Sequence, residues 1–298
     1  NSVNSDQMKS LSTLSSFNEI IHLDNTSSSK ISKLSHQYRL IKRLQASHYD
    51  YVFTGDYGTI NQIIIANLHL NTLYLLDDGT MTLVTHKTKL NPNHPIKWDK
   101  KFKLFRYKLF GLKTKHLHTV HLFTGFALQP HGTEKIVANS YNFLKTTYLK
   151  TAQPDDSVYL LGQPMTQAKL MSDDTYVDYL KRIIRHYNKT IIYVPHRTEI
   201  ISENLKALVN EHFILQQNEG PIEIVFLTKR IYPMHVIGFY STALFNLKKI
   251  FETTVIEAIK FDNCDLLRGE NTIQLCYSQL RETGIPVIEL LPRDEEKK

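Results

Sequence analysis

Short apolar, β-branched runs recur along the chain and alternate with segments in which apolar residues return every three or four positions. In the first half, the runs predict strands at residues 51–54, 72–76 and 120–124, and the helical spacing predicts helices over 27–46 and 59–70. Successive β-α-β units form parallel sheets whose faces are covered by helices. The pattern therefore predicts an α/β fold.

Two further elements and a break complete the first half. The pattern predicts a strand over residues 17–23 and a helix over 134–150, and the polar stretch 151–156 follows. We place the domain boundary in that stretch, which gives an N-terminal domain of residues 1–153 and a C-terminal domain of residues 154–298.

The alternation of strand and helix restarts beyond this boundary. The predicted strands cover residues 157–161, 190–194, 223–227 and 235–239, and the predicted helices cover 174–187, 202–211 and 242–251. Two successive halves of this kind predict two Rossmann-like domains that face each other across a cleft.

Composition places the chain among folded proteins with an affinity for anions. Of its 298 residues, 42% are hydrophobic and 22% are charged, and the formal net charge is +7. A basic surface favours nucleic acid, an anionic membrane or a phosphate-bearing substrate as a partner.

Two further features narrow the class of protein. The two cysteines, Cys264 and Cys276, form no CxxC pair and have no histidine cluster at zinc spacing, so neither a disulfide framework nor a structural metal is predicted. No apolar run reaches the roughly 18 residues of a membrane span, and the polar start of the chain is unlike a signal peptide. We therefore expect a cytoplasmic protein.

The strand predicted over residues 72–76 runs into Asp77, Asp78 and Gly79. Open α/β sheets bind their ligands at such strand ends. Asp and Gly are also the commonest turn formers, so a simple turn explains the segment as well as a catalytic site does. In a catalytic site, one of two neighbouring carboxylates would serve as a general base.

Residues 97–116 form the most basic segment of the chain, with eight lysines and arginines interleaved with aromatic side chains and opposed only by Asp99. Such a segment is typical of a helix that docks on an anionic membrane, and nucleic acid is bound by the same residue types. A solvated helix face accounts for the pattern equally well.

In the second half, three polar segments each follow an apolar strand directly, and all three are expected at one rim of the sheet. They are Gly162-Gln163-Pro164, His196-Arg197 and Tyr240-Ser241-Thr242. The last opens a predicted helix, where unpaired backbone N–H groups favour a phosphate, although Ser241 or Thr242 could simply cap the helix. Arginine favours phosphate, whereas a histidine by itself is more often structural.

These segments together resemble a known family. Taken in order, residues 77–79, 162–164, 195–199 and 239–244 are similar to the motifs of the bacterial sialyltransferases of glycosyltransferase family 52, the lipooligosaccharide sialyltransferase group. Residues 284–288 resemble the last strand of that family, so the similarity covers most of the chain.

The resemblance implies a GT-B-like fold and transfer of sialic acid from CMP-sialic acid to a galactose-type hydroxyl of a bacterial lipooligosaccharide or capsule. It implies inversion at the anomeric carbon without a cofactor or a metal. It also implies a homodimer, and a cytoplasmic enzyme that contacts the inner face of the membrane peripherally. Family members begin with a strand and a helix before the segment at residue 17, so we expect the N-terminal part of this fold to be truncated.

The same resemblance assigns roles to individual residues. Asp78 corresponds to the general base, and His196 to the group that stabilises the departing CMP phosphate, either by hydrogen bonding or as a general acid. Ser241 and Thr242 correspond to the hydroxyl motif that holds the phosphate, and Glu223 to the acid that binds the cytidine ribose. The remaining motif residues are expected to contact substrate: Asp77, Gly79, Gly162, Gln163, Pro164, Arg197 and Tyr240.

Several alternatives remain at this stage. Asp173 or Asp174 could replace Asp78 as the base. A transferase that uses another nucleotide sugar would share the phosphate and cytidine contacts. A nucleic-acid-binding protein is supported only by the net charge and the segment 97–116, and the chain has no zinc-finger or RNP-like signature.

Overall fold

A computed structural model describes residues 17–21, 29–91, 100–217 and 220–290 of the chain. The fold is α/β with parallel sheets, which is compatible with Rossmann-like domains. The chain divides into two compact units, Asn1–Asn139 and Ser140–Lys298.

The first unit contains a four-stranded parallel sheet in the order β1-β2-β3-β4. The helix Thr59–Ala66 packs Ile65 against Leu73 and Leu75 of the sheet. Its Ile63 packs with Ile41 of the preceding helix and with Tyr107 of the helix Lys100–Leu109. Its elements are α1 (Lys30–Leu44), β1 (His48–Thr54), α2 (Thr59–Ala66), β2 (His69–Leu76), α3 (Met81–Thr85) with a π-helical turn (His86–Leu90), α4 (Lys100–Leu109), β3 (Val120–Thr124) and β4 (Ile136–Ala138).

The second unit contains a six-stranded parallel sheet in the order β10-β9-β8-β5-β6-β7. Its strands are β5 (Gln153–Leu161), β6 (Ile191–Val194), β7 (Phe213–Leu215), β8 (Ile231–Gly238), β9 (Val255–Ile259) and β10 (Val287–Ile288). Its helices are α5 (Asn142–Tyr148), α6 (Asp173–His186), α7 (Glu203–Lys206), α8 (Ile222–Thr228), α9 (Thr242–Ile250) and α10 (Glu270–Glu282).

Helix α6 shows how the sequence builds this unit. Ser172 caps the helix by accepting a 3.2 Å hydrogen bond from the Thr175 backbone N–H. Tyr176, Leu180 and Ile183 recur at helical spacing and are buried in the core beneath the sheet. An amphipathic helix between two parallel strands is what the alternating pattern predicted here.

Four of the predicted elements are wrong. The segment 223–227, predicted as a strand, belongs to helix α8, because its buried residues lie at helical spacing in a short apolar run of ambiguous period. The helix predicted over 134–150 is replaced by β4 and α5. Of the helix predicted over 202–211 only the single turn α7 forms, and residues 17–21 form no strand, while 22 and 23 lie outside the described residues.

Residues 140–153, which the sequence analysis assigned to the N-terminal domain, lie in the second compact unit. Side chains at helix α5 contact α9 and the residues that follow it in this unit. The Tyr141 hydroxyl donates a 2.7 Å hydrogen bond to Asn246, and Lys145 forms a 2.9 Å ion pair with Glu252. The boundary between the units therefore falls between Asn139 and Ser140, and the predicted arrangement across a cleft stays a prediction.

Within the described ranges, no helix combines the length and the apolar character that crossing a membrane would require.

Candidate functional site

The three polar segments singled out in the second half follow neighbouring strands of the second sheet. Gly162 follows β5, Pro195 and His196 follow β6, and Tyr240 lies two residues beyond β8. Strands β8, β5 and β6 are adjacent and parallel, so their carboxyl ends lie at one edge of the sheet. The fold thus brings these segments to one rim.

That rim includes the point at which the strand order reverses. From β5 the chain adds β6 and β7 on one side, and from β8 it adds β9 and β10 on the other. In open α/β sheets, the crevice at such a switch point is the usual place for a ligand. The segments beginning at Gly162 and Tyr240 flank this crevice, and His196 is one strand away.

The imidazole of His196 is held by its own loop. Its Nδ1 accepts a 3.3 Å hydrogen bond from the Thr198 backbone N–H and lies 2.9 Å from the Thr198 hydroxyl. A nitrogen that accepts from a backbone amide carries no proton, so the neutral ring bears its proton on Nε2. His196 therefore offers one N–H donor.

The charge state of His196 follows from its surroundings. Burial lowers the pKa of His196, and the neighbouring Arg197 guanidinium lowers it further. The ring is therefore neutral near neutral pH, which favours hydrogen-bond donation over a role as general acid. Arg197 itself is exposed.

Gly162 lies where no side chain fits. A Cβ at this position would collide with the Glu199 carboxylate and the Tyr193 hydroxyl, and would lie 2.7 Å from Tyr193 Cζ. The Gly162 backbone N–H donates a 2.8 Å hydrogen bond to the Val194 carbonyl, which ties the end of β5 to the end of β6. The requirement for glycine here is close packing against the loop of His196.

The next residue is anchored as well. Gln163 is buried, and its backbone N–H donates a 3.0 Å hydrogen bond to the Tyr176 hydroxyl on α6. Pro164 follows in a half-buried position. The segment after β5 is thus a fixed turn.

Helix α9 begins at the rim. Ser241 is its N-cap and accepts a 3.3 Å hydrogen bond from the Ala243 backbone N–H. Both Ser241 and Thr242 are half-buried. The Tyr240 hydroxyl donates to Met165 Sδ at 3.4 Å, and burial raises the pKa of Tyr240 to about 12. Ser241 therefore caps this helix, and the positive end of the helix dipole at its start favours an anion.

Glu223 lies in the first turn of α8 and is directed at α9. It accepts a 2.6 Å hydrogen bond from the Asn246 side chain, and burial raises the pKa of Glu223. Asn246 is one turn beyond Thr242, so Glu223 is linked to the helix that begins at the rim.

The two carboxylates after β2, in the first unit, differ in their surroundings. Asp77 accepts hydrogen bonds of 2.6 Å from the Thr124 hydroxyl and from the Gly125 backbone N–H, at the end of β3. Asp78 is exposed, and its backbone N–H donates a 2.8 Å hydrogen bond to the Thr82 hydroxyl. Gly79 has a positive φ of 58°, which glycine adopts without strain.

Asp173 and Asp174, the alternative candidates for the general base, form hydrogen bonds at the start of α6. Asp173 and Asp174 both accept hydrogen bonds from the Asn204 side chain, at 2.9 and 3.2 Å, and so join α6 to α7. Their position at the start of α6 also favours acidic residues. Both observations suit a structural role.

Glu199 and Tyr193 also lie at this rim, although the sequence did not predict them as site residues. Glu199 Oε2 accepts a 2.9 Å hydrogen bond from the His196 backbone N–H, and its Oε1 accepts one from the Tyr193 hydroxyl. Burial raises the pKa of Glu199 to about 7. Glutamate three residues after the histidine was the available signal, but Tyr193 within an apolar strand gave none.

No group of three or more His, Cys, Asp or Glu side chains in the described part of the chain is arranged to hold a metal ion. The two cysteines carry free thiols, with Cys276 buried and Cys264 exposed. Metal-independent chemistry without a cofactor stays a prediction.

Comparison with known proteins gives one result. A family model described as alpha-2,8-polysialyltransferase (POLYST) matches residues 2–260 of the chain. No curated protein matches. The match supports a sialyltransferase, as the motifs predicted, without supporting the narrower assignment to glycosyltransferase family 52.

Proposed function

The chain belongs to the alpha-2,8-polysialyltransferase family, and we propose that it transfers sialic acid from CMP-sialic acid, with inversion, to a hydroxyl of a bacterial surface glycan. A sialyltransferase is a glycosyltransferase with a nucleotide-sugar donor and a glycan acceptor. The donor, the stereochemistry and the acceptor are the proposed parts.

The observation that carries the proposal is the convergence of the segments after β5, β6 and β8 at the switch point of the second sheet. This edge offers the Nε2–H of His196 and the first turn of α9 behind Ser241. In the reaction, the bond between the sialic acid anomeric carbon and the CMP phosphate oxygen breaks, and negative charge grows on that phosphate. Fixed N–H donors stabilise such charge without reorganising.

The roles of the remaining residues follow from their chemistry. His196 donates a hydrogen bond to the departing phosphate as a neutral ring. Ser241 and Thr242 hold the phosphate at the start of α9, and Arg197 supplies a positive charge beside it. Glu223 accepts from the cytidine ribose hydroxyls, because a half-buried carboxyl linked to Asn246 offers a fixed acceptor. Gly162, Gln163, Pro164 and Tyr240 shape the donor pocket.

Asp78 is the proposed general base for the acceptor hydroxyl. Asp77 is occupied by Thr124 and Gly125, whereas Asp78 is exposed at the same strand end. Gly79 gives the turn that presents it. A base accepts the proton as the acceptor oxygen bonds to the anomeric carbon.

Two kinds of acceptor glycan are compatible with the proposal. The resemblance to family 52 favours a terminal galactose, in a lipooligosaccharide or capsule, whereas the family name favours a terminal sialic acid joined through an α2,8 linkage. Incubation with CMP-sialic acid and either a lactose-type or a sialyl-lactose-type acceptor, followed by linkage analysis, distinguishes them.

A cytoplasmic, peripheral position on the anionic inner membrane is a further part of the proposal. On α4, Phe105 and Leu109 are one turn apart and are 59% and 71% exposed. Arg106 and Lys108 lie beside them, with exposed Lys113 beyond. Apolar side chains among basic ones suit the boundary of an anionic bilayer. The homodimer expected from the resemblance also remains part of the proposal.

The decisive experiment measures transfer together with donor binding. We expect release of CMP and a sialylated product with one of the two acceptors, and CMP binding that persists at high salt. Absence of both CMP binding and product would overturn the proposed function. Binding to any polynucleotide that falls steeply with salt would favour the nucleic-acid alternative instead.

A further inference from the structure

A hydrogen-bonded chain of side chains runs beneath the rim of the second sheet. The Gln163 backbone N–H donates to the Tyr176 hydroxyl at 3.0 Å, and the Tyr176 and Tyr193 hydroxyls are 3.0 Å apart. The Tyr193 hydroxyl donates to Glu199 Oε1. The His196 backbone N–H donates to Glu199 Oε2 at 2.9 Å. The chain thus begins at the loop after β5 and ends at the loop after β6.

We propose that Glu199 is a positioning residue for sialic acid transfer, which acts through Tyr193 and Tyr176 to hold the His196 loop and the Gln163 turn in one fixed arrangement. This inference rests on the proposed function. Glu199 contacts the backbone of His196 and not its imidazole, so it acts on the reaction through another residue.

The direction of the chain follows from its ends. Tyr193 donates its one hydroxyl proton to Glu199, so its oxygen accepts a hydrogen bond from the Tyr176 hydroxyl, which itself accepts from the Gln163 backbone N–H. Both oxygens of Glu199 accept in this arrangement, from Tyr193 and from the His196 N–H, so the arrangement belongs to the ionised carboxylate, the form that prevails above a pKa of about 7. A carboxamide, by contrast, offers one acceptor oxygen.

Burial restrains the side chains of this hydrogen-bonded network. Tyr193 is 0% exposed and Tyr176 is 3% exposed, so an unpaired hydroxyl would have no water to replace its partner. Gly162 packs directly over the junction of Glu199 and Tyr193, where no Cβ fits. The ring of His196 is further restrained by Thr198. The backbone position of His196 is therefore set by Glu199, and its ring orientation by Thr198.

Glu199→Gln, Tyr193→Phe and Gly162→Ala each disturb the chain at a different point. Because a displacement of about 1 Å in a reacting group can cost about 100-fold in rate, we expect kcat to fall roughly 10- to 100-fold in each variant. The donor KM should change less than about threefold in Glu199→Gln and Tyr193→Phe, whereas Gly162→Ala, which alters the donor pocket itself, should also raise the donor KM. Glu199→Asp keeps both acceptor oxygens and should recover part of the loss that Glu199→Gln shows.

Tyr159→Phe is the matched control. Tyr159 is a buried tyrosine of β5. Its hydroxyl donates to Asp155 at 2.9 Å and takes no part in the hydrogen bonds that link Tyr176, Tyr193 and Glu199. It should lose stability comparably to Tyr193→Phe and keep the wild-type kcat. Thermal unfolding identifies the variants that fold. If Glu199→Gln does not fold, Tyr176→Phe replaces it as a test of the same hydrogen-bonded network.

The experiment distinguishes a failure of the positioning role from a failure of the proposed function. Wild-type protein that transfers sialic acid, together with folded Glu199→Gln and Tyr193→Phe variants of unchanged kcat, would overturn the positioning role alone. Equal losses of kcat in Tyr159→Phe and Tyr193→Phe would also overturn it, because the effect would then be one of general stability. A wild-type protein that transfers nothing and binds no CMP would overturn the proposed function first.

Discussion

The carboxylate of Asp77 accepts a 2.6 Å hydrogen bond from the hydroxyl of Thr124, and this contact joins the carboxyl ends of β2 and β3. Thr124 is 1% exposed, so the bond is shielded from water at one end. The two adjacent acids thus differ in their surroundings, since Asp77 joins two strand ends and Asp78 is exposed.

Substitution of each acid by asparagine should separate their roles. Asp78→Asn is expected to abolish transfer with little change in the free energy of unfolding. Asp77→Asn should lower the free energy of unfolding by about 1–3 kcal/mol, because it weakens bonds to Thr124 and Gly125. Initial rates and urea unfolding measure the two effects. Near wild-type turnover in Asp78→Asn would rule out its role as the base.

His196→Ala should lower kcat by roughly 100- to 1,000-fold, the usual effect of removing one donor to a developing negative charge. His196→Gln should retain part of the activity, because a carboxamide N–H can occupy the position of Nε2–H. A general acid cannot be replaced in this way. If glutamine and alanine give the same kcat, donation from a neutral ring is wrong.

The phosphate role of the start of α9 can be separated from capping. Ser241→Asp preserves an N-cap but adds a negative charge, so we expect wild-type stability with donor KM raised by at least about tenfold. Ser241→Ala should instead cost about 1 kcal/mol of stability. Calorimetric titration with CMP provides the measurement, and unchanged CMP affinity in Ser241→Asp would contradict a phosphate at this helix.

Glu199 should make stability depend on pH. Its pKa in the folded protein is raised to about 7 from an ordinary 4.5, so the folded state binds more protons between these values. Stability from this group is complete below pH 4.5 and is lost as pH rises through 7, by up to roughly 3 kcal/mol. Urea unfolding at several pH values should show this loss in wild type and a smaller one in Glu199→Gln. Parallel curves for the two proteins would disprove it.

Contact with an anionic membrane should depend on α4. The double substitution of Phe105 and Leu109 by serine is expected to abolish co-sedimentation with anionic vesicles, and neutral vesicles should bind weakly throughout. Leu267→Ser is the control, because Leu267 is equally exposed at 71% but lies in the second unit. Equal binding of wild type to anionic and neutral vesicles would count against the membrane.

Sequence patterns located the parts of the fold that bury apolar runs between clear breaks. The strand predicted over 120–124 is β3 residue for residue, and the helix predicted over 174–187 is α6 within one residue. Residues 223–227 were misassigned because a run of five apolar-rich residues suits either period. Only the packing against Asn246 and the core decides in favour of the helix.

The sequence predicted only some residues of the candidate site. Strand ends marked by Gly162, His196 and Tyr240 could be found because an apolar run stops abruptly at each, and parallel strands bring such ends together. The Tyr193–Glu199 contact could not be found, because it depends on a tyrosine that pattern alone assigns to the core. Nor does the sequence distinguish Asp77 from Asp78, since the partners of Asp77 lie more than 40 residues away.

The placement of β5 between β6 and β8 has a consequence for how the protein is made. On a ribosome, β6 emerges soon after β5, and their loops can pair while the remainder is still being synthesised. Strand β8 arrives much later and must dock on the other edge of β5 before Ser241 can reach the rim. A nascent chain that ends before β8 would possess the histidine half of the rim and would lack the helix start, so the CMP binding proposed above would require synthesis to pass that strand.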